Sequence, residues 1–113
     1  MEGNIKIDSS VIKGNLDIHF DSDNETVDGV EKPVYEILIH GDPEGLKSFA
    51  NIILEIANAN QELIDTLPTN ARIHNTLNPS IDLSSNSITT TIGRLDAKGT
   101  GKYYNKFVSR LKE

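Results

Sequence analysis

The run VYEILIHGDPEGLKSFANIILEIANAN, residues 34–60, changes hydrophobic period in mid-course. From Val34 to His40 the apolar residues alternate, with Tyr35, Ile37 and Ile39 on one face, as a strand requires. Val34 and Leu38 make the other face partly apolar, so this reads as a central strand. From Pro43 onward the period becomes helical. Asp42 is a good N-cap, Pro43 suits the first helical position, and Glu44 complements the helix dipole. On a wheel of about 100° per residue, Leu46, Phe49, Ala50, Ile53, Leu54, Ile56 and Ala57 fall on one arc, with Ile52 at its edge. Lys47, Ser48, Asn51, Glu55 and Asn58 lie opposite. A strand that turns directly into an amphipathic helix predicts a helix lying on a sheet.

Other segments add strands. Asn4–Asp8 and Asn15–Phe20 alternate, the second with Leu16, Ile18 and Phe20 on one face and Asn15, Asp17 and His19 on the other. Residues 9–14 read as a hairpin link. The polar, acidic segment 21–33 reads as a long exposed loop. Residues 72–77 and 87–95 read as the last two strands, joined by a turn-rich link. Tyr104, Phe107, Val108 and Leu111 have the spacing of a short C-terminal helix. The expected fold is α+β: an antiparallel β-sheet with one main amphipathic helix packed on a face, in the order β-β-β-α-β-β-α.

The chain has 113 residues, enough for a single domain spanning 1–113 with its own core. It has no cysteine, which excludes disulfides, thiolate zinc sites and cysteine nucleophiles. The first residues alternate rather than form a signal-peptide core, and no apolar run reaches membrane-spanning length. The expectation is a soluble cytoplasmic protein with no membrane partner. Asn24-Glu25-Thr26 matches a glycosylation acceptor only by chance in such a setting.

Formal net charge is −6, which disfavours nucleic acid as a partner. The charge is uneven. Residues 15–31 hold six acids (Asp17, Asp21, Asp23, Glu25, Asp28, Glu31) and no Lys or Arg, whereas residues 94–113 hold six bases and two acids.

Chemical motifs are incomplete. The stretch IGRLDAKGTGK, residues 92–102, fails as a phosphate loop: Gly101-Lys102 is followed by Tyr103, and Asp96 stands where the earlier glycine belongs. It reads as a strand end and exit loop, with Arg94, Asp96 and Lys98 available to a partner. The segment from Asp21 resembles a calcium loop, but Thr26 and Lys32 occupy the positions of the required Gly and Glu. His19, His40 and His74 lack metal spacing, and there is no G-x-S-x-G elbow. No metal, cofactor or catalytic residue is implied.

Two segments together, EILIHGDPEGLKSFANIILEIAN (residues 36–58) and HNTLNPSIDLSSNSITTTIGRLDAKGTG (residues 74–101), resemble a family of small immunity proteins from bacterial polymorphic-toxin systems. The resemblance rests on Gly41, Asp42, Gly45 and Leu46 between strand and helix, and on the run Gly93–Gly101. It implies a protein that binds and neutralises a toxin made by the same cell; the expectation is a non-enzymatic monomer or homodimer. If that toxin is a nuclease with a basic active site, Asp21, Asp23, Glu25 and Asp28 would stand in for phosphates, with Arg94, Asp96 and Lys98 as a second contact surface. The rival reading is an enzyme or small-ligand binder with a pocket around His40, His74 and Arg94. A third is a module that pairs through the edge of the strand at 87–95.

Overall fold

The computed structural model describes residues 12–103 and 107–108. The expected strand at 4–8 and most of the expected C-terminal helix lie outside the described residues. Among those described, the order is β1 (Leu16–Val27), β2 (Val30–Gly41), α1 (Pro43–Asn58), a 3-10 helix (Gln61–Leu63), β3 (His74–Leu77) and β4 (Thr90–Gly93). The α+β class holds, but the described residues form two two-stranded sheets, β1-β2 and β3-β4, rather than one. The described residues form two compact units, one of residues 12–50 and 77–90, the other of residues 51–76, 91–103 and 107–108.

In the first unit, β1 and β2 form one antiparallel hairpin, with Leu16 opposite Gly41 and Val27 opposite Val30. The segment expected as an acidic loop is therefore strand almost to its tip. The turn is Asp28-Gly29, both with positive φ (53° and 77°). That is the backbone a two-residue hairpin turn of matching twist requires, and Asp-Gly is among the pairs that supply it.

Leu16 and Ile18 are buried with Leu77 and Leu83. Full burial of such a side chain stabilises by about 1.5–3 kcal/mol. The link 84–88 runs beside this stretch of β1: Ser84 N–H donates to the Leu16 carbonyl at 2.9 Å and Ile88 N–H to the Ile18 carbonyl at 2.8 Å. The buried Ser87 hydroxyl accepts the Ile18 N–H at 2.9 Å.

The helix begins as its sequence dictates. The Asp42 carboxylate accepts the Gly45 N–H at 2.7 Å, a regular N-cap bond. Its buried stripe, however, is Gly45, Ser48, Ile52 and Ile56, not the most apolar arc. Leu46, Ile53 and Leu54 are 42–56% exposed. Size decides this. The backbone of Lys13–Asn15 lies against the helix where Gly45 and Ser48 leave room, and the Ser48 hydroxyl accepts the Lys13 N–H at 3.1 Å. It lies 3.0 Å from the Lys13 carbonyl, so its buried polar atom is satisfied. A Cβ on Gly45 would stand 2.0 Å from the Asn15 oxygen.

In the second unit, Ile52, Ile56, Leu67, Ile73 and Ala97 are buried. The buried Gln61 amide ties the unit together, accepting the Ile73 N–H at 2.8 Å and donating to the Asp96 carbonyl at 2.9 Å.

Candidate partner-binding surface

The hairpin sorts its residues by the period of two. Directly opposed residues share a face, so the register puts Phe20, Ile37, Tyr35 and Ile39 on the face of Leu16 and Ile18. Asp21, Asp23, Glu25 and Glu36 lie on the reverse, with Lys32 opposite Glu25. From Phe20 to Ile37 every residue is exposed. Beyond Ile18, no other described strand pairs with either edge.

The acidic face gathers three of the four acids expected to bind a partner. Asp21, Asp23, Asn24, Glu25, Val34 and Glu36 line a depression of about 360 Å³. Asp21 stands directly opposite Glu36. Like charges so placed repel, and a bound cationic group would relieve them. Asp28 is separate, serving as the first residue of the turn.

The apolar face was missed as a surface. Alternation in VYEILIH had placed Tyr35, Ile37 and Ile39 in a covered sheet face; instead they are 67, 52 and 45% exposed, and Phe20 is 49% exposed. The central-strand reading fails because, among the described residues, β2 pairs only with β1. The Phe20 and Tyr35 rings stack, centroids 5.7 Å apart and planes 24° apart.

At the base of the hairpin, Asp17 is held by hydrogen bonds. Ser84 Oγ donates to its Oδ1, as does Asn86 Nδ2 at 3.2 Å. His19 Nδ1 lies 2.6 Å from Oδ2. The Ser84 and His19 bonds together bring its pKa down from 3.8 to about 2.

In the second unit, Arg94, Asp96 and Lys98 are engaged within the protein. Arg94 grips Asp96 through two bonds of 2.8 and 2.7 Å. This pairing lowers the Asp96 pKa and raises that of Arg94. The remaining Arg94 nitrogen donates to the Ile56 carbonyl at 3.1 Å and the Ala59 carbonyl at 2.7 Å. It thus caps a helix that has no base in its own last turn. Lys98 Nζ donates to the Ile64 and Leu67 carbonyls at 2.6 and 2.7 Å. Gly99 has φ 88° and offers its N–H to Glu62 at 2.8 Å. The glycine-rich run is thus a bracket that fastens the C-terminal end of α1 and the turn after it.

His40 is exposed opposite Asp17. His74 Nδ1 lies 3.3 Å from the Arg72 carbonyl. Among the described residues there is no cluster of three or more His, Cys, Asp or Glu that could hold a metal, and no helix is long and apolar enough to cross a membrane.

The model of the family described as Immunity protein 32 matches residues 36–95, more than half of the chain. No curated protein and no solved structure matches.

Proposed function

The chain belongs to the Immunity protein 32 family, and from that membership we propose that it binds and neutralises a cognate bacterial toxin by stoichiometric occlusion, with no reaction of its own. The toxin is met in the cytoplasm, and its active site or substrate channel is covered. The observation that carries the reading is the hairpin, whose exposed residues 20–37 hold six acids and one base. Such a ribbon suits a basic cleft of the kind a nuclease uses for its substrate, with Asp21, Asp23, Glu25 and Asp28 in the place of phosphates. Arg94, Asp96 and Lys98 contribute by fixing the segment that carries them, and their remaining exposed surface is a secondary contact.

The test is co-expression of the adjacent toxin gene with and without this chain in a sensitive host, followed by co-purification. Rescue with a one-to-one complex supports the reading. Toxicity that persists beside abundant folded protein, with no complex, refutes it for that toxin. Replacing the four acids with Asn or Gln should lower affinity and flatten its salt dependence.

A further inference from the structure

We infer that the apolar face of the hairpin, Phe20, Tyr35, Ile37 and Ile39, carries most of the toxin affinity. Its partner surface is a groove with one apolar wall and one cationic wall, into which the ribbon inserts. The inference rests on the immunity reading and names the chemistry of the surface that reading requires.

Three observations lead to it. The four side chains are 45–67% exposed, yet two of them form an ordered ring stack. An open depression of about 220 Å³ at Tyr35, lined also by Ser22, Asp23, Asn24 and Pro33, gives this end of the ribbon surface relief. The reverse face carries the 360 Å³ acidic depression. Aromatic anchors such as Tyr35 are the usual affinity centres of an interface, and surrounding charges set its association rate.

Charge decides the occupant. A second copy of this chain, docked apolar face to apolar face, would bring two ribbons together, each with six acids and one base. Their repulsion opposes that pairing. A cationic partner gains from the same charges. A flat partner surface would cover one face of the ribbon and leave the other in water. A groove roughly 10 Å across would admit a two-stranded ribbon and meet both faces.

The experiment uses the purified full chain and the catalytically inactivated product of the adjacent toxin gene, with binding kinetics measured at several salt concentrations. Tyr35→Ser with Ile37→Thr is expected to weaken binding at least 30-fold, mainly through faster dissociation, with the salt dependence unchanged. Ile37→Thr alone should give part of that loss. Asp21→Asn with Asp23→Asn and Glu25→Gln should instead slow association and flatten the salt dependence. Circular dichroism and thermal unfolding check that each variant is folded. Wild-type affinity in both apolar variants overturns this inference and leaves the immunity reading standing. No binding by the wild-type chain overturns the immunity reading for that toxin and this inference with it. A wild-type dimer in analytical ultracentrifugation that the double variant dissolves assigns the face to a second copy and overturns the groove.

Discussion

Asn15 and Asp42 hold each other through both backbone and side chain. The Asp42 N–H donates to the Asn15 carbonyl at 3.1 Å. In return, Asn15 gives its N–H to Asp42 Oδ1 at 3.0 Å and its side-chain amide to Oδ2 at 2.8 Å. One carboxylate thus caps α1 and locks the start of β1 beside the end of β2. This explains the Gly-Asp-x-x-Gly pattern in physical terms: Asp42 accepts, and Gly41 and Gly45 let the Asn15 backbone come close enough to donate.

Gly45→Ala should therefore destabilise the protein. The new Cβ meets backbone rather than a movable side chain. Overpacking typically costs about 1–3 kcal/mol, and this site belongs at or above the upper end. Urea unfolding should show a lower midpoint with little change in slope.

Acid should lower stability in a window set by Asp17. Its folded pKa lies near 2, below the 3.8 from which it is shifted, so its stabilising effect is complete above about pH 4 and is lost as pH falls toward 2. Asp42 and Asp96 are shifted in the same direction. Thermal melts across this range should show Asp17→Asn less stable than wild type at neutral pH. The gap should narrow on acidification, and a gap independent of pH would contradict the assignment.

Arg94→Ala should cost about 1–3 kcal/mol, because charge-assisted bonds to the α1 carbonyls are removed. Arg94→Lys should restore only part of it, since an ammonium cannot reproduce the paired bonds to Asp96. Chemical denaturation measures both. Full stability in the alanine variant would mean that the helix end does not depend on this cap.

Gly29→Ala should loosen the hairpin tip by about 1 kcal/mol, the usual cost of a left-handed conformation with a side chain. Faster amide exchange at Val27 and Val30, the pair that closes the turn, and then at Glu25 and Lys32, with α1 unaffected, is the expected pattern.

The sequence made the strand at 34–40, the Asp42 cap and the helix legible because each is fixed by neighbours in the chain. The distal hairpin was not legible. Residues 21–26 are polar on both faces, so no hydrophobic period marks them as strand, and the Asp28-Gly29 turn was hidden among acids. The alternation at Tyr35, Ile37 and Ile39 correctly sorted two faces. Whether a face is covered depends on the neighbouring strands, and among the described residues β2 has only one. The helix wheel weighed hydrophobicity, whereas close approach at Gly45 and Ser48 chose the buried side. The acids of the candidate surface were visible from charge alone. Its apolar half was not, and neither was the capping role of Arg94, which acts on a carbonyl 38 residues away.

The two-residue turn and the strict register of the ribbon also govern how it can diversify. Adding two residues to each strand near its base lengthens the arm and leaves every distal side chain on its present side. Adding one to each keeps the strands paired but exchanges the sides, presenting carboxylates where rings had been. Insertion thus offers a conservative step and an inverting step within the same hairpin, neither of which disturbs the Asn15–Asp42 lock at its root.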